Sequence, residues 1–247
     1  MVNLMSQTQA EIADESNEGI ARDSLSAKIY QRLRSDLMTG RYSPGERLNI
    51  RRLADTYETS ATPVREAMMQ LVREGGLELR PGHQLRVPVL SISRYVDIRE
   101  VRGPLERLAT ERAAALITET GLAKLEALND AFFQAEDEGR RKEALALNLE
   151  FHFTIYRASG NQVLVNTLEN LWLLSGPFIN NQYPNASQEH SVNHPHLLII
   201  DALRRRAPGE AGEMVVQDMR VGSHLILDKL KSDPNYGGRT KIRSANL

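Results

Sequence analysis

The residues in this chain best suited to chemistry are its histidines. There is no cysteine, so thiolate nucleophiles, disulfides and cysteine-ligated metals are excluded. His83 stands apart, and the other five, His152, His190, His194, His196 and His224, fall in the later part of the sequence. Asn148 and His152 are spaced i and i+4, which places both on one face of a helix. His196 opens the periodic run His-Leu-Leu-Ile-Ile-Asp-Ala-Leu, and His224 precedes Leu225 and Leu227 in the last helical segment. Three imidazoles carried on three helices into one bundle would make a divalent metal site with one position open. Neutral imidazoles suit zinc or nickel better than magnesium or calcium, which want several carboxylates. The same side chains could instead be buried and hydrogen-bonded without metal. His190 and His194 read as residues of a connecting loop.

A second constellation is basic and lies nearer the N-terminus. Net charge is only -1 overall. Along the chain, however, residues 24–90 carry a net +4, flanked by acidic stretches at 1–23 and 91–232. Within the basic segment run Pro44-Gly45-Glu46-Arg47-Leu48, then Leu53-Ala54, then Ser60-Ala61-Thr62-Pro63-Val64-Arg65-Glu66-Ala67. A helix that opens on short polar side chains and an arginine can offer its first turn to the major groove of DNA.

These residues resemble the winged helix of the GntR family across residues 25–88. The resemblance implies DNA contacts from Arg51, Ser60, Thr62 and Arg65. It also implies a wing tip at Arg80–His83, with His83 entering the minor groove. Most members carry arginine directly after the Ser/Thr, where this chain has Ala61. The expectation is therefore that the core bases of the operator differ from the usual ones, or that binding is weaker.

Residues 93–231 resemble the FCD ligand-binding domain of the FadR-type branch of that family. The marks are Arg102-Gly-Pro-Leu105-Glu106-Arg-Leu-Ala109, Asn148-Leu-Glu-Phe151-His152, Ala158-Ser-Gly-Asn161, His196–Leu203 and His224. Many members bind a metal through an Asp and three His, which implies Asn148, His152, His196 and His224 here, with a neutral amide in place of the carboxylate. The His196–His224 spacing exceeds the usual one, which implies an enlarged loop at Arg204–Gly212. Arg102 falls at the family's pocket arginine, and Arg99 lies one turn earlier on the same face. A guanidinium fork suits a carboxylate, so the implied effector is a small organic acid. The alternative for Arg102 is an i,i+4 pair with Glu106 on an exposed face. Trp172, Phe178 and Tyr183 could line the pocket or belong to the core.

The elements that must hold these residues follow from periodicity and punctuation. Helices are expected over 26–39, 50–57 and 61–74, with Ser60 as N-cap and Gly75-Gly76 as terminator, then strands at 77–79 and 84–89. Further helices are expected near 93–117, 121–138, 141–158, 161–180, 191–206 and 210–231. The fold class is thus mostly α. Residues 1–23 read as a disordered arm, 24–90 as a winged helix-turn-helix, 91–232 as an all-α six- or seven-helix bundle, and 233–247 as a flexible tail. The sequence shows neither a membrane-length apolar run nor a signal peptide, so the cytoplasm is the expected location. The expected function is a transcription regulator, a repressor, on a palindromic operator. One reader covers few base pairs, so a homodimer is expected. The rival is a metal-dependent hydrolase using the three histidines, but no H-E-x-x-H occurs and no general base stands beside them.

Overall fold

The computed structural model describes residues 25–82, 84–89, 91–179 and 194–232, which divide into two compact units near Pro88–Val89, with Leu37–Pro44 grouped with the second. Helix α1 (25–38) buries Ile29 and Leu33, which are four apart as one helical face requires. Helix α2 (Ile50–Thr56) is capped by Asn49, whose side chain accepts from the Arg52 amide. Helix α3 (Ala61–Arg73) turns Val64, Ala67, Met68 and Leu71 inward and places Pro63 in its first turn. Gly75 ends it, adopting φ of 80° so that the Gly75 and Gly76 amides reach the carbonyls of Val72 and Leu71. The Tyr30 hydroxyl donates to the Glu74 carboxylate at 2.7–2.8 Å, tying α1 to the end of α3.

The wing is a three-stranded antiparallel sheet of β1 (Arg47–Leu48), β2 (Glu78–Arg80) and β3 (Gln84–Arg86), in the order β1-β3-β2. Leu85 sits opposite Leu48 on one side and Leu79 on the other. Strand β1 was not expected from the sequence, because two residues after a Pro-Gly turn carry no periodicity. The rest of the expected order, helix-helix-helix-hairpin, is present.

From Ile92 on, the regular elements among the described residues are all helices: α4 (Ile92–Leu116), α5 (Glu119–Asp137), α6 (Arg141–Ala158), α7 (Gln162–Ile179), α8 (Pro195–Arg204) and α9 (Pro208–Ser232). Apart from the start of α8, the ends of these six helices fall within two residues of the positions expected from the sequence. Helix α4 is central, packing on α6, α7 and α9, and α8 lies between α5 and α9. Helix α4 lacks a clean apolar stripe because it buries Arg102, Glu106 and Thr110 among its apolar residues. Phe178 belongs to the core with Tyr95, ring to ring at 5.0 Å, beside Ile226 and Leu230. No helix among the described residues is long and apolar enough to cross a membrane.

Candidate functional site

In the first unit Arg51, Ser60, Thr62 and Arg65 are all exposed, and none has an intramolecular hydrogen bond or ion pair among the described residues. Ser60 occupies the N-cap position with extended backbone, yet its hydroxyl makes no capping bond. The side chain is therefore available to a partner outside the chain. His83 lies outside the described residues; its neighbours Gly82 and Gln84 flank the tip of the β2–β3 hairpin.

In the second unit the chemistry gathers around a cavity of about 100 Å³, lined by residues of α4 to α9. His152 on α6 and His196 at the start of α8 are almost fully buried, with their rings edge to face at 5.4 Å. A third ligand atom comes from Asp218 on α9, and the donor atoms of the three side chains all lie within 4.8 Å of one another. His152 Nε2 is 3.2 Å from Asp218 Oδ2, and His196 Nε2 is 3.8 Å from Asp218 Oδ1. His196 Nδ1 faces Asn129 Oδ1 at 3.2 Å, and Phe151 stacks on its ring at 4.1 Å. His152 Nδ1 meets the Tyr156 hydroxyl at 3.4 Å.

The electrostatics make this cluster a cation site in waiting. Burial pushes His196 down to about 3, against the pull of Asp218, so the ring is neutral near pH 7. An amide oxygen only accepts, so His196 Nδ1 carries the proton and donates it to Asn129. That leaves the Nε2 lone pair directed at a carboxylate oxygen, two acceptors facing each other. Burial opposes the charge on Asp218, but the hydrogen bond from His152 outweighs it, and the carboxyl is held at about 2. Burial and Glu106 push the Tyr156 hydroxyl well up, so it stays a donor to His152 Nδ1. A divalent cation would displace the proton that His152 Nε2 donates to Asp218 and take the three converging atoms as ligands, and the donor set, two imidazoles and one carboxylate, suits zinc or a similar borderline ion.

Asn148 lines the same cavity, one turn before His152. His224 does not join it. Its side chain is 81% exposed, with Nε2 3.9 Å from Asp228. The expected long loop is absent: α8 ends at Arg204 and α9 begins at Pro208, so the inward position falls on Asp218, six residues before His224. Six residues turn a helix by about 600°, which swings His224 some 120° off the Asp218 face. His194 is likewise no loop spectator. It is buried, its Nδ1 accepts the His196 amide as the N-cap of α8, and it packs edge to face on Phe133. His190 and Tyr183 lie outside the described residues.

Arg102 reaches the cavity but is already engaged. It pairs with Glu106 at 2.8 Å, as the i,i+4 alternative anticipates, though in the buried core rather than on a surface. The indole N–H of Trp172 donates to the same Glu106 oxygen at 2.7 Å, and the Arg102 guanidinium lies 4.3 Å over the Trp172 ring. Burial works against the Arg102 charge, and Glu106 more than restores it. Arg99 does not line this cavity; it faces a separate groove between α4 and α9. Glu150, the carboxylate closest to His152 in sequence, is held by Lys124 and Arg157, away from any role as a base for the cluster.

A recognition helix with a wing, followed by a helical domain enclosing a polar cavity, defines the class of transcription regulator with an appended ligand-type domain. Comparison with known proteins agrees. The family described as bacterial regulatory proteins, gntR family, matches residues 25–87, and the FCD domain matches residues 97–220. The HTH-type transcriptional regulator McbR of Escherichia coli K12 is 32% identical over 180 residues, covering 71% of this chain and 81% of McbR. The HTH-type transcriptional repressor RspR of the same organism is 26% identical, covering 75% of this chain and 81% of RspR. The solved structure of E. coli McbR/YncC superposes with a TM-score of 0.77, at 26% identity, over 83% of this chain and 98% of that one. The chain belongs to the GntR family of transcription regulators and carries an FCD domain.

Proposed function

We propose that this regulator is a repressor that binds a palindromic operator as a homodimer and is released by a small organic acid bound at a metal in the FCD domain. The observation that carries the reading is the convergence of one potential ligand atom each from His152, His196 and Asp218 inside the helical unit. His152, His196 and Asp218 would hold the ion, and Asn148 lines the same cavity. Bound there, the metal supplies a positive charge and an open coordination position for a carboxylate. RspR is a repressor by name, which supports the same direction of control. The untied side chains of Arg51, Ser60, Thr62 and Arg65 support DNA contact from the start of α2 and α3, and His83 is proposed as a further DNA contact.

The charge balance of the cavity makes the metal a precondition for the effector. Among the described residues that line it, Arg102 is the single Lys or Arg and is already neutralised by Glu106, which leaves the Asp218 carboxylate over. An organic acid entering the metal-free cavity would meet net negative charge, and a divalent ion reverses the sign. Fluorescence anisotropy on an operator fragment selected from genomic DNA tests the whole reading. The expected result is a dimer by light scattering, tight binding to the selected fragment, and loss of binding on adding one of a panel of small acids, only when zinc or nickel is present. Affinity indifferent to every combination of acid and metal would overturn it.

A further inference from the structure

Two residues expected at the inner site, Arg99 from its helical spacing to Arg102 and His224 from resemblance, face a second and larger space. This outer groove, about 650 Å³, runs between α4 and α9, with Arg220 on the same wall and Val216 and Pro104 giving it an apolar floor. Arg99 and Arg220 have no ion-pair partner among the described residues; Arg107 is occupied by Glu111 and Glu213, and Glu100 is the only carboxylate on the wall. One residue lines both the outer groove and the inner cavity, and that residue is Met219, the neighbour of Asp218.

The partition at Met219 is soft on both sides. Methionine is unbranched, with three rotatable bonds, and moves its thioether at little energetic cost. Opposite it, α4 carries Gly103, and a Cβ built there would stand 3.1 Å from the Met219 methyl carbon. A side chain at that position would crowd the methyl and force it to shift by a few tenths of an ångström. The next residue is Pro104 in the helix interior, which removes the amide that would bond the Glu100 carbonyl and loosens α4 at the same level. A mid-helix Gly-Pro is a poor choice for helix stability alone.

We infer that Met219 is a gate between the two spaces, and that the α4–α9 groove, with Arg99 and Arg220 at its mouth, is the entrance by which a small anion reaches the inner cavity. The inference deepens the reading of that cavity as an effector site and rests on it. Its test needs neither DNA nor metal, so the two can fail separately. Trp172 is the only tryptophan of the chain, is 4% exposed, and lines the inner cavity. Its fluorescence therefore reports what enters. Quenching of the full chain is measured with acrylamide, a neutral probe, and with iodide, an anionic one. Met219→Ala is expected to raise acrylamide quenching several-fold with the melting temperature and helix content retained. The double variant Arg99→Gln, Arg220→Gln, in which neither altered residue is buried, is expected to lower iodide quenching by about twofold at low salt and leave acrylamide quenching unchanged. Unchanged acrylamide quenching in Met219→Ala would mean entry from another side and overturn the gate. Should that variant not fold, an iodide-to-acrylamide ratio untouched by the double arginine variant would overturn the entrance by itself.

Discussion

The two units of this protein hold their candidate functional side chains in opposite ways. In the winged helix, Arg51, Ser60, Thr62 and Arg65 project into solvent with no intramolecular hydrogen bond or ion pair among the described residues. In the helical unit, each member of the site is fixed by another: His196 by Asn129, His152 by Tyr156 and Asp218, Arg102 and Trp172 by Glu106. A surface that reads an external polymer needs side chains at liberty to meet it. A site that holds a small ion needs side chains whose positions are settled beforehand. Substitution should therefore separate function from stability in the first unit and couple them in the second.

The largest expected effect comes from breaking the buried pair. Glu106→Ala leaves the Arg102 guanidinium uncompensated and removes the acceptor of Trp172, so chemical denaturation should show a loss of about 3–5 kcal/mol. A loss under about 1 kcal/mol would mean that the pair is solvated and the coupling argument fails. Next is Arg65→Ala, expected to weaken operator binding by roughly 1–3 kcal/mol per half-site in a gel-shift titration at fixed salt. Its melting temperature should not change, since the side chain has no partner to lose.

Acid should act on the helical unit through His196. Its folded-state value of about 3 lies below that of an unfolded histidine, roughly 6.5. As pH falls below 6.5 the unfolded chain takes up the proton first, so stability complete above that pH is lost on the way down toward 3. The slope is at most about 1.4 kcal/mol per pH unit in metal-free protein. Asp218, held at about 2, adds its own loss only below roughly pH 4. Denaturation between pH 6.5 and 4 should thus flatten in His196→Gln, and an unaltered slope would count against a neutral buried ring. The smallest effect is that of Ser60→Ala. An N-cap serine is ordinarily worth about 0.5–2 kcal/mol, but this hydroxyl caps nothing, so stability should move by less than about 0.5 kcal/mol while operator affinity falls. A full capping penalty would assign Ser60 to the helix rather than to DNA.

The same contrast explains what the sequence disclosed. The reader is built from one continuous stretch whose order of Pro-Gly, Leu-Ala and Ser-x-Thr-Pro-Val-Arg is written locally, and its helices appear where their periodicity puts them. The bundle site is assembled from residues 22 to 66 apart in sequence, such as His196 with Asp218 and His152 with Asp218, so each must be found separately. His152 and His196 were visible because buried imidazoles in apolar helices are conspicuous. Asp218 was not, because an acidic residue in a helix reads as solvated surface, and a histidine six residues on was the more obvious ligand. A shorter connection between α8 and α9 was the clue: Ala207-Pro208 starts a helix and leaves no room for an enlarged loop, which moves the inward position back to Asp218. Asn129, which sets the tautomer of His196, had no signal at all in the sequence, being one polar residue on an otherwise ordinary amphipathic helix.

The identity of the third ligand is where the account is most exposed, and calorimetric titration of chelator-treated protein with zinc examines it directly. One equivalent should bind the unaltered chain, Asp218→Ala should bind at least about 100-fold more weakly, and His224→Ala should bind as the unaltered chain does. Zinc affinity that survives Asp218→Ala and collapses in His224→Ala would contradict the site described above.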